Sequence, residues 1–302
     1  MIEQFFNHVA PFAAIGFVGW IFAKCGLFSR EDARSINRYV FYVALPILMF
    51  RLIANAPRDE FDLGLMRGYL ISEVLIYILG FLIAYFIFKR ERLESILIGM
   101  SSAFVNHVFF VLPVATAAYG STAIAPIMSI VVIDSIILYA GTVFLLDVLT
   151  LKKASPINVL YQTFRNPHII GILIGILFNF TNLELPRSVD NFTAFVSSVA
   201  SPTAIFTLGL ILGFQKGQGG WKLPITIALV KTIIHPLLAL AIFILGFSLE
   251  PNASKMALLV AAGPCGALPF VLALHYKINE RAIAQAILIS SIISLFGLSY
   301  LI

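Results

Sequence analysis

Long apolar stretches follow one another along almost the whole chain, and they constrain the fold more than any other feature of the sequence. A bilayer span needs about 20 mostly apolar residues in a helix. Ten stretches come close to or exceed this length: 7–26, 36–55, 65–88, 95–119, 122–148, 166–182, 191–214, 223–247, 254–276 and 281–302. Only short connections remain between them. The pattern predicts an all-α membrane protein of ten transmembrane helices, with no separate soluble domain for catalysis or nucleic-acid binding.

The composition agrees with a bilayer as the main solvent. Hydrophobic residues make up 60% of the 302 residues and charged residues only 12%, which is far from the usual composition of soluble domains. The chain begins Met1-Ile2-Glu3, without the basic segment of a secretory signal peptide, so we expect the first span to be retained. Cys25 and Cys265 lie in or near apolar spans, which favours reduced thiols over a disulfide.

The net charge of +5 is explained by membrane topology rather than by nucleic-acid binding. Most lysines and arginines lie in the loops after spans 1, 3, 5, 7 and 9, among them Lys152, Lys153 and Lys216. Cytoplasmic loops of membrane proteins carry the excess of basic residues. These loops are therefore predicted to be cytoplasmic, which places both termini on the outer side of the membrane.

One shift of 156 positions aligns the two halves of the chain. It pairs prolines and glycines: Pro11 with Pro167, Pro46 with Pro202, Pro113 with Pro269, Gly19 with Gly175 and Gly141 with Gly297. Each half, 1–150 and 151–302, contains five spans, an odd number, so the second half enters the membrane from the opposite face. Inverted repeats recur in secondary transporters, because two similar halves in opposite orientations can give outward-open and inward-open states of comparable energy. The sequence predicts two inverted five-helix repeats and a transport function.

Prolines interrupt the fourth and ninth spans at corresponding places. Proline removes a helical hydrogen bond and clashes with the preceding turn, and unwound backbone is tolerated at membrane depth only against protein or a watery cavity. Paired interruptions point to a transporter's substrate site, and the positive ends of the resulting half-helices favour an anion such as a carboxylate. We predict broken, crossing helices 4 and 9. The predicted substrate-binding residues are Asn106, His107 and Pro113 in the fourth span, and Gly263, Pro264, Cys265, Gly266 and Pro269 in the ninth.

Ionisable residues inside the spans need partners or a function, because each costs about 2.5–3.5 kcal/mol near the bilayer centre on insertion scales. Asp134 in span 5 and Lys231 in span 8 are the main examples, and His235 follows Lys231 by one helical turn on the same face. A direct Asp134–Lys231 pair would be either a structural clamp or a proton-linked switch. Glu73 in span 3 is expected near the membrane interface, where long side chains reach water.

Other local signals have structural interpretations. Ser29-Arg30-Glu31-Asp32 fits a capping box at the start of the second helix. His275 and Tyr276, at the end of the ninth span, are expected to be interfacial anchors. No P-loop, metal-spaced Cys/His cluster or nucleophile elbow occurs in the sequence, so no enzymatic activity, cofactor or metal is predicted.

Several motifs follow one another in a characteristic order and spacing. They are Ala44-Leu45-Pro46, Leu112-Pro113 followed by Tyr119-Gly120, Asn166-Pro167, Ser201-Pro202, Leu208-Gly209-Leu210, Lys231 with Pro236, and Pro264 followed by Tyr276. Over essentially the whole chain this order resembles the auxin efflux carrier family, which includes the plant PIN proteins and bacterial organic-acid carriers. The chain resembles a bacterial member in particular, since it lacks the long cytoplasmic loop of the longer plant proteins.

The resemblance implies a PIN-like or NhaA-like fold with a scaffold of helices 1, 2, 6 and 7 and a transport domain of helices 3–5 and 8–10, which moves as an elevator. It also implies a homodimer in membrane lipid, a small organic anion as substrate, and H⁺ or Na⁺ as candidate coupling ions. Asn106 matches the family's asparagine in the first crossing segment, which implies a role in substrate binding. Val111 stands where many members have glycine, and the run from Gly263 to Phe270 is more similar to bacterial carriers of malonate-type acids than to plant auxin carriers.

Two other functions remain open at the level of sequence. A cation/proton antiporter of related architecture would use Asp134 and Lys231 as its titrating centre. A membrane sensor would bind the same ligand without moving it. The inverted repeat favours transport over sensing, because a sensor needs no two-sided symmetry.

Overall fold

The structure is a computed structural model that describes residues 2–151, 156–214, 220–246 and 251–301. Lys152, Lys153 and Lys216, which entered the topology argument, lie outside the described residues. Six helical stretches within the described ranges are long and apolar enough to cross a membrane: Arg30–Ala54, Leu63–Ile87, Leu112–Thr150, Arg187–Gly213, Lys222–Gly246 and Arg281–Leu298. The prediction of an all-helical, multi-pass membrane protein is confirmed at this level.

Seventeen α-helices account for most of the described residues. They are α1 Ile2–Lys24, α2 Arg30–Tyr39, α3 Leu45–Ala54, α4 Leu63–Leu82, α5 Arg92–Ala103, α6 Leu112–Tyr119, α7 Ile124–Ile133, α8 Ala140–Thr150, α9 Pro156–Phe164, α10 Pro167–Asn179, α11 Arg187–Ser198, α12 Ala200–Gly213, α13 Lys222–Leu229, α14 His235–Gly246, α15 Pro251–Ala262, α16 Leu268–His275 and α17 Arg281–Leu301. The short helix α9, which lies between the predicted spans 5 and 6, was not predicted from the sequence.

Among the described residues, five π-helical turns join or precede some of these helices, at Val40–Ala44, Ile83–Ile87, His107–Val111, Asp134–Tyr139 and Val230–Ile234. In three of them, one residue separates the end of the turn from a proline. Proline has no N–H and clashes with the preceding turn. In each of these π-helical turns the residue just before the proline therefore provides the last N–H donor. In these three turns the N–H groups donate to carbonyls five residues back: Leu45 to Val40, Leu112 to His107, and His235 to Val230.

Glycines allow two helix pairs to pack with their backbones in close contact. Gly19 of α1 faces the carbonyl of Phe206 in α12, and Gly175 of α10 faces the carbonyl of Phe50 in α3. A side-chain Cβ on Gly175 would lie 2.9 Å from that carbonyl oxygen. Small residues permit such close approach between membrane helices. The two contacts are related by the 156-residue shift, since it pairs Gly19 with Gly175 and Phe50 with Phe206.

The predicted helix starts are observed where side chains can cap them. Ser29 Oγ accepts from the Asp32 N–H at 3.1 Å, and Asp32 Oδ2 accepts from the Ser29 N–H at 2.8 Å. These reciprocal bonds confirm the capping box. Asn166 caps α10, because its Oδ1 accepts from the His168 N–H at 3.0 Å.

Candidate functional site

Two interrupted helices meet in the middle of the fold. The first interruption lies between the end of α5 at Ala103 and the start of α6 at Leu112, and the second lies between α15 and α16. The extended residues Val105 and Cys265 form an isolated antiparallel β-bridge. Backbone groups that leave their helices therefore find partners in the other interrupted segment, as burial away from water requires.

Two hydrogen bonds form this bridge. The Asn106 N–H donates to the Pro264 carbonyl at 3.0 Å, and the Gly266 N–H donates to the Phe104 carbonyl at 2.9 Å. The second segment is also tied to α17, because Ser290 Oγ accepts from the Cys265 N–H at 3.0 Å. We call the two segments together, residues 104–106 and 263–267, the crossing.

Glycines and prolines have distinct structural roles at the crossing. A Cβ on Gly263 would lie 2.5 Å from Val111 Cγ2, and one on Gly266 would lie 2.8 Å from the Val105 carbonyl oxygen. Only glycine allows the two segments to approach this closely. Two of the predicted site residues, Pro113 and Pro269, each occupy the second position of the helix that follows, α6 and α16 respectively, where proline's fixed φ and missing N–H are tolerated.

A cavity of about 70 Å³ lies directly against the crossing. Its walls are mainly aliphatic side chains of α3, α12 and the start of α16, and its polar lining groups are Asn106, His107, Ser135 and Ser201. Of the eight predicted substrate-binding residues, Asn106 and His107 line this cavity. The others, Pro113, Gly263, Pro264, Cys265, Gly266 and Pro269, shape the crossing and the helix starts beside it.

Sequence reasoning did not identify Ser135 and Ser201 as cavity residues. Ser135 directly follows the singled-out Asp134, and Ser201 directly precedes Pro202 in one of the repeat-related bends. Both signals were therefore present in the sequence. The sequence does not indicate which face of each helix turns towards the crossing.

A cluster of ionisable side chains lies behind the cavity, out of contact with solvent. His107 Nε2 lies 2.5 Å from Asp134 Oδ2, and the two side chains are 4% and 0% exposed. Glu73 of α4 is also fully buried and interacts electrostatically with Asp134. The expectation that Glu73 lies near the membrane interface is therefore wrong.

The burial of Glu73 follows from the face of α4 that it occupies. The buried residues of this helix include Tyr69, Ser72, Glu73, Ile76 and Gly80. Apart from the adjacent Ser72 and Glu73, these residues are three or four positions apart, which defines one helical face. The helix turns this face towards the protein interior, so a carboxyl group on it is carried into the core.

Lys231 and His235 form the second part of the buried cluster, and their predicted association is confirmed. Lys231 Nζ lies 3.0 Å from His235 Nδ1 and donates to the Ala261 carbonyl at 2.6 Å. That carbonyl belongs to the C-terminal end of α15, where helical carbonyls lack intrahelical partners and a cation is favoured. His235 Nε2 in turn lies 3.4 Å from Ser72 Oγ.

The contacts of Asp134 and Lys231 differ from the pair that the sequence suggested. Asp134 lies against His107, whereas Lys231 is bound to the end of α15 and to His235. The Lys231 ammonium still interacts electrostatically with the carboxyl groups of Glu73 and Asp134. The buried cluster thus combines acidic and basic groups from four helical segments.

His275 and Tyr276 have specific protein partners, which the interfacial-anchor interpretation did not foresee. The His275 ring stacks on Phe41 with centroids 3.7 Å apart. Tyr276 Oη donates to Asp147 Oδ1 at 2.8 Å, while Asp147 Oδ2 accepts from Thr163 Oγ1 at 2.9 Å. These contacts connect the end of α16 with α8, α9 and the π-helical turn after α2.

Comparison with known proteins gives matches along nearly the whole chain. The model of the family described as membrane transport protein matches residues 4–302. A Rhizobium meliloti (strain 1021) protein with the provisional name of malonate transporter is 24% identical over 308 residues, which cover 97% of this chain and 94% of that protein. Auxin efflux carrier component 8 of Arabidopsis thaliana is 23% identical, with 89% and 88% covered. An uncharacterized transporter of Methanothermobacter thermautotrophicus is 26% identical, with 93% and 92% covered.

Proposed function

This chain belongs to the membrane transport protein family, the family of the auxin efflux carriers, and from that premise we propose that it is a secondary transporter of a small organic anion. It is a membrane transporter and not an enzyme. The substrate, the site and the mechanism given below are parts of the proposal.

The proposed architecture consists of two inverted five-helix repeats, residues 1–150 and 151–302. Helix 4 comprises α5 and α6, helix 9 comprises α15 and α16, and the two cross where the β-bridge joins them. The repeat-related contacts of Gly19 with Phe206 and of Gly175 with Phe50 support this arrangement, because a duplicated bundle should repeat its closest helix contacts.

The proposed mechanism is an elevator movement of helices 3–5 and 8–10 against a scaffold of helices 1, 2, 6 and 7. The backbone contacts of α1 with α12 and of α10 with α3 support a rigid scaffold, since helices that touch through glycine cannot slide freely over each other. We further propose that scaffold helices form a homodimer interface, and that both termini face the periplasm of a bacterial inner membrane.

The proposed binding site is the cavity beside the crossing, and this position is the observation that carries the proposal. The cavity, of about 70 Å³, sets a few polar groups among aliphatic walls, as small-molecule sites do. Asn106 supplies an amide, His107 an imidazole, and Ser135 and Ser201 supply hydroxyl groups. Half-helices that begin beside this cavity direct the positive ends of their dipoles towards it, which favours a carboxylate.

A short carboxylate of the malonate type is the first substrate to test. The cavity combines a few polar groups with aliphatic walls from residues such as Leu48, Met49 and Val271, which suits a molecule with a charged end and a short apolar body. The name of the bacterial relative supports the same class. An auxin-like aromatic acid is the second candidate within this proposal.

Uptake of radiolabelled malonate into proteoliposomes tests the proposal, with a panel of other mono- and dicarboxylates alongside. Asn106→Ala should reduce uptake at least tenfold, because it removes the amide that lines the cavity. Asn55→Ala is the matched control, since the exposed Asn55 side chain bonds only to the Arg51 carbonyl among the contacts in the structure. Full uptake by a correctly folded Asn106→Ala variant would count against the proposed site.

A further inference from the structure

The buried cluster behind the proposed binding site has a chemistry that anion transport alone does not require. We propose that His107, Asp134 and Glu73 take up one proton when the organic anion binds, so that anion and proton cross the membrane together. This inference rests on the proposed function, because it assumes that the anion binds in the cavity beside the crossing.

His107 provides the physical connection between the cavity and the buried carboxyl groups. It is the one ionisable residue among the described residues that line the cavity, and its Nε2 lies 2.5 Å from Asp134 Oδ2. An imidazole can hold or pass a proton near neutral pH. An anion bound beside Asn106 is therefore separated from the carboxyl pair by a single ring.

Charge balance gives the reason for proton uptake. Asp134 and Glu73 are both fully buried and interact with each other, and two negative charges in one buried site repel each other strongly. A bound anion adds another negative charge close to them. Binding of the anion therefore favours a proton on the cluster, and by linkage the proton favours the anion to the same extent.

The other groups that face the cluster limit where the proton can reside. Lys231 Nζ is held by the Ala261 carbonyl and by His235 Nδ1, so the fold fixes the position of this nitrogen. The titratable and charged side chains around the pair are Tyr69 and Glu73 from α4, His107 from the first interruption, Asp134 from the helix of span 5, Lys231 and His235 from the helix of span 8, and Cys265 from the second interruption.

The proton balance of the cycle is simple. On one side of the membrane the empty cluster takes one proton from water as the anion binds. On the other side the anion leaves and the proton follows it into water, so the cluster returns to its initial charge. A monocarboxylate would then cross without net charge, and a dicarboxylate dianion would carry one net negative charge.

The test uses the full chain in proteoliposomes without sodium, with the membrane potential held at zero by potassium and valinomycin. Malonate is the probe, and protein-free vesicles give the background, because the neutral form of a short monocarboxylic acid such as acetic acid crosses lipid unaided. A pH gradient of one unit should drive malonate to about a tenfold accumulation above that background, and addition of malonate should acidify an entrapped pH dye only when the protein is present. Exchange of labelled for unlabelled anion at equal pH is measured in the same vesicles.

Asp134→Asn and Glu73→Gln should remove the response to the pH gradient and the dye signal while exchange continues, because exchange needs no net proton movement. Glu94→Gln is the matched control, since Glu94 is also buried but pairs with Arg90 at 3.8 Å, outside the cluster. Robust exchange by the wild-type chain with no effect of the pH gradient and no dye signal would overturn the coupling and leave the carrier function intact. Absence of exchange for every acid in the panel would overturn the proposed function itself. If the variants fail to fold, the response of the wild-type chain to the pH gradient still decides whether transport is coupled to protons.

Discussion

Replacement of Gly266 by alanine tests the close approach of the two interrupted helices. The new Cβ would lie 2.6 Å from Phe104 Cδ1, 2.8 Å from the Val105 carbonyl oxygen and 3.0 Å from the Val105 carbonyl carbon. The ring of Phe104 can rotate away. The Val105 backbone cannot, because it is held in the β-bridge opposite Cys265.

The expected cost follows from the distances. The Cβ needs roughly half an ångström more space to reach ordinary van der Waals contact with the carbonyl, and the crossing has to open by about that amount. The bond from the Gly266 N–H to the Phe104 carbonyl would then lengthen from 2.9 Å beyond the usual limit of about 3.2 Å. Overpacking costs about 1–3 kcal/mol and a weakened hydrogen bond about 1 kcal/mol, so we expect the variant to lose about 2–4 kcal/mol of stability.

Thermal unfolding of the detergent-solubilised protein, monitored by size-exclusion chromatography, measures this loss of stability. Malonate uptake measures the effect on transport. Gly141→Ala is the matched control, because a Cβ at Gly141 meets no atom within 4 Å and alanine is favoured over glycine in a helix interior by about 0.5–1 kcal/mol. We expect a lower apparent midpoint and impaired uptake for Gly266→Ala, and no loss for Gly141→Ala. Equal midpoints and equal uptake for the two variants would refute the steric argument.

Two further predictions concern the buried lysine and the scaffold. Lys231→Met removes the donor to the Ala261 carbonyl and leaves that buried carbonyl without this partner. We expect loss of transport and a loss of about 1–3 kcal/mol of stability, measured against the exposed control Lys222→Met. Unimpaired uptake would contradict this. Gly175→Ala places a Cβ 3.0 Å from Ile53 Cβ and 2.9 Å from the Phe50 carbonyl oxygen. We expect it to lose about 1–3 kcal/mol of stability, measured by thermal unfolding. Gly297→Ala is the control and should unfold like the wild type, because a Cβ there meets no atom within 4 Å.

Much of the fold could be predicted from local chemistry. Apolar length predicts the six helical stretches that are long enough to cross a membrane. Ser29 and Asp32 predict the capping box because its bonds join residues three apart. Pro264 predicts the break between α15 and α16, since its missing N–H acts on the turn in which it occurs, whereas the break at residues 104–106 lies more than one helical turn before Pro113. His235 could be placed beside Lys231 because one helical turn separates them.

The remaining features depend on contacts between distant helices. The spacing of residues along the chain does not predict that His107 lies against Asp134 or that Glu73 lies at the same site. These interactions depend on how three helices are rotated about their axes. The sequence did contain one usable signal for Glu73, namely that its position matches the face formed by Tyr69, Ile76 and Gly80. The roles of His275 and Tyr276 were missed for the same reason, since Phe41 and Asp147 are remote in sequence.

The β-bridge at the crossing has a consequence for how the two halves of the chain depend on each other. Each half contributes one donor and one acceptor: Asn106 and Phe104 from the first, Gly266 and Pro264 from the second. Neither half on its own could satisfy these backbone groups within a bilayer. The two interruptions are therefore stable only together, and a change that displaces one of them would leave the backbone groups of the other without partners.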